Sequence, residues 1–230
     1  INAAKVVSKN MADLKVVVNG AGAAGVAIAK TLKCIGTEGY SACEPVKEVI
    51  VCDTKGIVCS ARNDLNSTKR ELLNFTNTED IAGTLQHALA GVDVFIGVSG
   101  PGLLNESDVR TMATNAIIFA CANPTPEIAP EEAYKGGAAV VGTGRSDLPN
   151  QVNNVLAFPG IFRGALQSRA TCITPAMKLA AAHAIADCVK YPTRDVIIPS
   201  TLDMTVADNV AAAVSKAWKE QVLQPVELDF

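Results

Sequence analysis

The fold is indicated most clearly by the segment Lys15-Val-Val-Val-Asn-Gly20-Ala-Gly-Ala-Ala-Gly25-Val-Ala-Ile-Ala-Lys30. Its first part, Lys15–Asn19, is a short apolar run typical of a buried strand. The pattern G-x-G-x-x-G follows at once, and small apolar residues with helical spacing continue over Ala23–Leu32. Because the pattern lies at the exit of a strand and the entry of a helix, it predicts a turn that binds a dinucleotide.

Each small residue of this turn has a predicted task. Gly20 allows the tight turn, Gly22 lets the backbone approach a diphosphate, and Gly25 lets the helix pack close to the strand. The helix N-terminus, with Ala23 and Ala24 in its first turn, supplies free N–H groups and a partial positive charge of about +0.5 for the phosphates. The alternative, a glycine-rich turn that only packs, stays open.

Strand-like and helical patterns alternate through the rest of the chain, which predicts parallel strands joined by helices. The further predicted strands are Glu48–Cys52, Val92–Val98, Ala116–Ala120 and Ala138–Val141. The further predicted helices are Asn2–Val7, Thr68–Phe75, Asp80–Ala90, Glu106–Ala113, Ala176–Val189 and Thr205–Gln221. The strands are almost continuously apolar, as expected where helices cover both faces of the sheet. We therefore predict an α/β fold, a Rossmann-type doubly wound and mostly parallel sheet with helices on both faces.

Length and composition indicate one large domain. The chain has 230 residues, of which 49% are hydrophobic and 19% charged, enough apolar material for one main core. We predict a dinucleotide-binding domain over 1–230, with C-terminal helices at about 175–223 packing on it or on a partner. The net charge of −3 with scattered basic residues argues against nucleic acid as a partner, and the short apolar runs argue against a membrane span.

Seven cysteines occur without any Cys-x-x-Cys pair, which argues against a zinc knuckle and against a disulfide framework. They are interpreted as small core residues in a reducing compartment, the cytoplasm or another one. Because the sequence starts at Ile1 within a helical pattern, we expect it to be part of a longer protein. A targeting segment could therefore not be observed.

A carboxylate ends the second predicted strand. Asp53 at this position can accept both hydroxyls of an adenosine ribose and repel a 2′-phosphate, which favours NAD. Asp53 lies 28 residues beyond Gly25, more than the usual spacing, which predicts a loop inserted at Gly36–Val46. Lys55 could neutralise a 2′-phosphate, so NADP stays possible. The alternative for Asp53 is a plain turn residue.

Three other strands end in unusual residues, and ligands of open parallel sheets bind at such carboxyl ends. Val98, Ser99 and Gly100 offer a small surface for a ribose or a flat ring. Asn123, in Ala122–Glu127, presents an amide in a proline-stiffened turn. A polar segment over Thr143–Val155 follows the last strand. Each of these is also explained by a capped turn, but together they predict a site.

Several of these motifs together resemble the NAD-binding domain of malic enzyme, in its short bacterial-type form. They are Gly20–Gly25, Cys52–Gly56, Asn123–Glu127, Thr143–Asp147, Asn150–Leu156 and Phe158–Gly164. The resemblance covers nearly the whole chain. It implies that Asn123 and an asparagine of the N-N-V motif, Asn153 or Asn154, contact the malate carboxylates near the nicotinamide. Asn154 is the first choice of the two, and Asn123 then belongs to both the dinucleotide and the substrate site.

The resemblance also implies a chemistry. L-malate is oxidised by hydride transfer to NAD, and bound Mg²⁺ or Mn²⁺ assists loss of CO₂ to give pyruvate. The general base lysine, the general acid tyrosine and the metal carboxylates of the family are expected upstream of this chain. We therefore assign no catalytic residue and no metal ligand within it and expect the chain alone to be inactive. The resemblance implies a homo-oligomer, a dimer or a tetramer.

The remaining candidates are interpreted as structural. Tyr40, Tyr134 and Tyr191 match no family motif. His87 and His183 lack ligand-spaced partners and are interpreted as surface or packing residues. For Arg145 and Arg163 an ion pair is favoured over direct contact with a ligand, and Trp218 is expected to pack on the domain or on a partner.

Two other functions stay open. One is another two-domain NAD(P) dehydrogenase of the amino-acid or shikimate type, which has no need for asparagines at both strand ends. The other is a regulatory module that senses a dinucleotide without chemistry, which would explain the missing catalytic groups. The missing catalytic groups are equally explained if this sequence is part of a longer protein, as expected above.

Overall fold

The computed structural model describes residues 1–37 and 43–223 of the chain. These residues divide into two compact units. The first comprises 1–34, 44–152 and 192–197, and the second comprises 35–37, 43, 153–191 and 198–223. Tyr40 and the centre of the loop predicted at Gly36–Val46 lie outside the described residues.

Among the described residues, six strands form one sheet in the first unit. They are β1 (Lys15–Asn19), β2 (Glu48–Asp53), β3 (Gly56–Ile57), β4 (Val94–Gly97), β5 (Ala116–Ala120) and β6 (Ala138–Thr143). Their order is β3-β2-β1-β4-β5-β6, and all neighbours pair parallel except β2 and β3. This order and direction confirm the predicted Rossmann-type fold.

The strands are buried on consecutive residues, as the last four residues of β1 show. Since neighbouring side chains of a strand point to opposite faces, consecutive burial means that both faces of the sheet are covered. The register brings the carboxyl ends level, because Asn19 pairs with both Cys52 and Gly97, and Gly97 pairs with Ala120. The residues that follow β1, β2, β4 and β5 therefore share one edge.

Six helices of the first unit precede or join these strands. They are α1 (Asn2–Val6), α2 (Ala23–Leu32), α3 (Ser67–Leu72), α4 (Leu85–Leu89), α5 (Glu106–Arg110) and α6 (Pro130–Lys135). The predicted bounds of α2 are confirmed. The helix predicted at Asp80–Ala90 begins only at Leu85, because Gly83 has a φ of +146° and Thr84 forms the cap with His87. His87 thus lies in the first turn of α4 and caps its N-terminus.

Sequence patterns missed three elements. Strand β3 has only two residues, too few for a periodic signal. Helix α6 begins at Pro130. Proline interrupts a helical pattern in the interior of a helix, although it is suited to the first turn. The third is α7 (Phe158–Gln167) of the second unit.

The second unit consists of α7, α8 (Pro175–Asp187) and α9 (Thr205–Leu223) with their connections. Glycines allow α7 to pack closely on α9: a Cβ on Gly160 would lie 2.5 Å from Cβ of Val210, and one on Gly164 would lie 2.5 Å from the carbonyl oxygen of Ala211. Trp218 packs against the hydrophobic cluster of this unit. Whether the helices at 175–223 also pack on a partner stays a prediction.

The cysteines differ from the prediction. Cys34 and Cys43 are disulfide-bonded, so the interpretation of all seven as reduced core residues is wrong for these two. Cys52 and Cys59 are buried as expected, whereas Cys172 is exposed. Within residues 1–37 and 43–223, every helix is too short or too polar to cross a membrane.

Candidate functional site

The glycine turn joins β1 to α2 at the carboxyl edge of the sheet, and two of its glycines admit no side chain. Gly20 has a φ of +128°, and a Cβ there would lie 2.6 Å from the carbonyl oxygen of Val98. A Cβ on Gly25 would lie 1.7 Å from the carbonyl oxygen of Gly20. At Gly22 a Cβ would meet nothing within 4 Å, so the space beside this residue is open.

The first turn of α2 is also open to solvent. Gly22 is the N-cap without a side-chain hydrogen bond, and Gly22, Ala23 and Ala24 are exposed. The first N–H groups of a helix have no acceptor within the helix, so an anion can accept from them. An uncapped N-terminus beside an open glycine fits the diphosphate of a dinucleotide. Gly20 and Gly22 thus lie in the turn, and Ala23, Ala24 and Gly25 lie in the first turn of α2. Their contacts with a dinucleotide stay a prediction.

Asp53 ends β2 beside this turn, where the N–H of Gly20 donates to the carbonyl of Cys52 at 2.8 Å. Arg62 donates to both carboxylate oxygens of Asp53, at 2.8 and 3.0 Å. Lys69 Nζ lies 2.5 Å from Oδ2, and the N–H of Lys55 donates to Oδ1 at 2.9 Å. Burial works against ionisation, but the bonds from Arg62 and Lys69 outweigh it and lower the pKa of Asp53 to about 2.

A second carboxylate extends this group. Asp64 accepts from Arg62 at 2.8 Å and pairs with Lys55 at 3.0 Å, and these hydrogen bonds lower its pKa. We call Asp53, Lys55, Arg62, Asp64 and Lys69 the Asp53 cluster. Three cations face two carboxylates in it. Sequence reasoning missed Arg62 and Lys69, because no local pattern marks residues that meet across a turn and a helix.

The loop after β4 lies against the glycine turn. The N–H of Val98 donates to the carbonyl of Asn19 at 2.9 Å, and Nδ2 of Asn19 donates to Oγ of Ser99 at 2.9 Å. A Cβ on Gly100 would meet nothing within 4 Å. Val98, Ser99 and Gly100 therefore follow β4 directly beside the predicted diphosphate site. Their contact with a ribose or a nicotinamide stays a prediction.

Asn123 is exposed in the turn after β5. A Cβ on Gly144 would lie 2.8 Å from Nδ2 of Asn123, so the side-chain amide rests against the backbone that follows β6. Glu127, at the end of the same turn, is fully buried and accepts from the N–H of Ala122 at 3.0 Å. The amide predicted to contact substrate is thus held at the carboxyl edge of the sheet.

The segment Thr143–Val155 is more ordered than predicted, because Gln151 forms a parallel bridge with Thr143. Asn150 is buried, with Nδ2 donating to the carbonyls of Val141 and Arg194 at 3.0 and 2.9 Å. Its Oδ1 accepts from the N–H of Ile197 at 2.9 Å. Asn150 is therefore a structural residue of the motif Asn150–Leu156.

The other two asparagines of that motif lie in the second unit. Asn153 caps a 3-10 turn at Asn154–Leu156, since its Oδ1 accepts from the N–H of Val155 at 3.0 Å. Asn154 is exposed, and its side chain has no hydrogen bond within the described part of the chain. A free amide is the better donor to a ligand. The role of Asn153 or Asn154 at the substrate stays a prediction.

The two arginines form the expected ion pairs. Arg145 pairs with Asp147 and Arg163 with Asp208, and all four side chains are largely exposed. Arg145, Asp147 and Glu127 line a cavity of about 480 Å³ beside the β5 turn. The described residues hold no group of three or more His, Cys, Asp or Glu that could bind a metal ion.

Comparison with known proteins gives one consistent family. The family model "Malic enzyme, NAD binding domain" matches residues 1–219. A bifunctional malic/malolactic enzyme of Bacillus subtilis is 49% identical over 100% of the chain, and the chain covers 54% of it. An NAD-dependent malic enzyme of Geobacillus stearothermophilus is 46% identical over 94% of the chain and 44% of the relative. An NADP-dependent malic enzyme of Halomonas elongata is 41% identical over 94% of the chain and 53% of the relative.

Solved structures that resemble this chain belong to the same family. An NAD-dependent malic enzyme of Thermotoga maritima superposes with a TM-score of 0.84 at 45% identity, covering 93% of this chain and 54% of that one. A malic enzyme of Pyrococcus horikoshii superposes with a TM-score of 0.86 at 44% identity, covering 96% of this chain and 52% of that one. The chain spans about half the length of the relatives it matches.

Proposed function

Since the chain belongs to the malic enzyme family as its NAD-binding domain, we propose that it binds the dinucleotide with which the whole protein oxidises L-malate to pyruvate and CO₂. The observation that carries this proposal is the turn between β1 and α2. Its Gly22 leaves open space beside an uncapped helix N-terminus, and Gly20 and Gly25 give the turn its shape. The N–H groups there would bind and neutralise the diphosphate.

The substrate end is assigned to amides. Asn123 is exposed at the carboxyl edge of the sheet, next to the loop predicted to hold the ribose and the nicotinamide. A carboxamide can donate to a malate carboxylate without the cost of burying a second charge. We assign this task to Asn123 and to Asn154 or Asn153. These residues would bind and orient the malate.

The groups that move protons belong to the rest of the protein in this proposal. A nicotinamide supplies the hydride acceptor when bound, and Mg²⁺ or Mn²⁺ supplies the Lewis acid. The lysine base, the tyrosine acid and the metal carboxylates of the family are assigned outside this chain. We further propose that the whole protein works as a homo-oligomer, a dimer or a tetramer.

We propose a preference for NAD that depends on the whole Asp53 cluster. The Asp53 carboxylate would accept from the ribose hydroxyls and repel a 2′-phosphate. Arg62 and Lys69 neutralise much of that repulsion, because both donate to the carboxylate. The preference is therefore modest, and NADP would bind with lower affinity. Relatives of both dependences are consistent with this view.

The test uses two polypeptides. The 230-residue chain should bind NAD⁺ in a calorimetric titration and should not oxidise malate. A polypeptide of the family's full length that contains this chain should convert malate and NAD⁺ to pyruvate and NADH with Mn²⁺. Dinucleotide binding without turnover in the full-length polypeptide would support the sensing module instead. Absence of binding by both would contradict the assignment of the glycine turn.

A further inference from the structure

Glu127 is a buried carboxylate that the proposed function does not use. It is 0% exposed, and both of its carboxylate oxygens accept hydrogen bonds from backbone N–H groups. It takes part in no ion pair of the described residues. A buried charge without a cation is costly, so these N–H groups are its main compensation.

The two donors belong to different strand ends. The N–H of Ser99, in the loop after β4, donates to Oε1 at 3.3 Å. The N–H of Ala122, in the turn after β5, donates to Oε2 at 3.0 Å. Oγ of Ser99 in turn accepts from Asn19, the last residue of β1. The Glu127 side chain therefore links the ends of β4 and β5 directly, and Ser99 links them to the end of β1.

The backbone around Glu127 leaves the side chain little freedom. A Cβ on Gly97 would lie 2.3 Å from Cδ of Glu127, so the carboxylate lies against the bare backbone of β4. The carbonyl of Glu127 also accepts from the N–H of Leu104 at 3.1 Å. Both its side chain and its main chain thus bind the loop that follows β4.

We propose that Glu127 is a positioning residue that sets the distance between the loop at Val98–Gly100 and Asn123, which directly follows Ala122. This inference rests on the proposed function, in which the loop holds the nicotinamide end and Asn123 holds the malate. Hydride transfer needs the two reactants in contact at a defined angle. A link between their two binding segments acts on that geometry without touching either reactant.

Glu127→Gln tests the link, because it keeps the size of the side chain and changes only its bonding. A carboxylate offers two acceptor oxygens, whereas an amide offers one oxygen and an NH₂ group that faces the other N–H. One of the two backbone bonds is therefore lost. In the 230-residue chain, amide hydrogen exchange at Ser99 or Ala122 should become about 10-fold faster. The reason is that the backbone N–H that has lost its acceptor is exposed to solvent more often by local opening.

Glu132→Gln is the matched control. Glu132 also accepts a backbone N–H, that of Glu106 at 3.1 Å, at the start of α5. Because one donor needs only one oxygen, a glutamine can replace this carboxylate without losing the bond. Exchange at Ser99 and Ala122 should be unchanged in this variant.

Turnover of the full-length polypeptide separates positioning from folding. In Glu127→Gln, kcat/KM for malate, expressed per NAD⁺-binding site, should fall about 10- to 100-fold, as for a misplacement of about 1 Å, while the dissociation constant of NAD⁺ changes less than about 3-fold. A purely structural residue would lower the active fraction and leave KM unchanged. Unchanged kcat/KM in a variant with faster exchange, or unchanged exchange, would overturn the proposal.

A second variant covers the case in which Glu127→Gln does not fold. Glu127→Asp keeps the charge but is one methylene shorter, so it cannot reach both N–H groups. It should show the same fall in kcat/KM for malate, with near-UV circular dichroism as the check of folding, and wild-type kinetics in it would also overturn the proposal. If the wild-type polypeptide does not oxidise malate, the proposed function fails, whereas the exchange experiment still decides whether Glu127 links the two segments.

Discussion

The Asp53 carboxylate already accepts four hydrogen bonds, two from Arg62, one from Lys69 and one from the N–H of Lys55. A ribose hydroxyl would therefore share these oxygens with existing donors. At neutral pH the group is ionised, because its pKa is about 2. Its charge holds two cations that could otherwise pair with a 2′-phosphate. Asp53 thus acts on cofactor preference both directly and through Arg62 and Lys69.

Replacement of Asp53 should change this preference. In Asp53→Ala the affinity for NAD⁺ should fall about 10-fold, as expected for loss of a charged hydrogen-bond acceptor, and the affinity for NADP⁺ should fall less or rise. The reason is that Arg62 and Lys69 become free for the 2′-phosphate. Titration calorimetry of the chain with both dinucleotides measures the two constants.

Asp64→Ala is the control for that experiment. Asp64 pairs with the same Arg62 and with Lys55, but it lies on the exposed side of the cluster. Its removal should leave the NAD⁺ constant within about 2-fold, since Arg62 keeps both of its hydrogen bonds to Asp53. Equal losses of NAD⁺ and NADP⁺ affinity in Asp53→Ala would remove the ribose assignment.

At the scale of the element, β1, the glycine turn and α2 act as one unit. The turn brings the start of α2 so close to the strand that a Cβ at Gly25 would overlap the carbonyl of Gly20. The same close approach leaves the first N–H groups of α2 exposed at the edge of the sheet. Gly25 is thus needed for the packing of α2 on β1, and Gly22 for access of a ligand to the helix N-terminus.

Two alanine variants should separate these tasks. Gly22→Ala should fold with an unchanged melting temperature, because its Cβ meets nothing and its φ of −85° suits any residue. It should lose NAD⁺ affinity by about 10-fold or more, because the methyl group enters the space of the diphosphate. Gly25→Ala should lose stability itself, by about 1–3 kcal/mol or more, through overpacking.

Circular dichroism melts and NAD⁺ titrations of both variants check this prediction. Normal NAD⁺ affinity in Gly22→Ala would show that the diphosphate does not bind at this turn. A stable Gly25→Ala would mean that α2 can move away from β1.

At the scale of the whole molecule, the Asp53 cluster links stability to pH. The pKa of Asp53 is lowered from 3.8 to about 2, so its stabilising effect is complete above about pH 4 and is lost as the pH falls towards 2. A shift of this size corresponds to about 2 kcal/mol at neutral pH. Asp53→Asn should therefore be less stable by about that amount at pH 7.

Urea unfolding followed by far-UV circular dichroism at pH 7, 4 and 2 measures this effect. The difference between wild type and Asp53→Asn should shrink on acidification and vanish near pH 2. Asp208→Asn is the control, because its partner Arg163 and Asp208 itself are exposed, and such pairs contribute little. A difference that is independent of pH would contradict the role given to the carboxylate charge.

The division into two units could not be read from the sequence. One main core was expected from length and composition, whereas the described residues form two compact units, each with a hydrophobic cluster. The helix α7, which packs on α9 through Gly160 and Gly164, was missed because glycines weaken a helical pattern. The two glycines lower helix propensity but allow α7 and α9 to pack closely, and this role is visible only when α9 is in place.

The amino-acid pattern alone predicts the strand, turn and helix of the glycine motif, the mostly parallel sheet, and the edge that bears Asp53, Ser99 and Asn123. These features depend on residues close together in the chain, through periodic burial and the steric freedom of glycine. The folded chain was needed to show that Arg62 and Lys69 hold Asp53 and that Glu127 joins Ser99 to Ala122. Such contacts depend on how separate segments pack against one another, and no local pattern encodes the resulting distances.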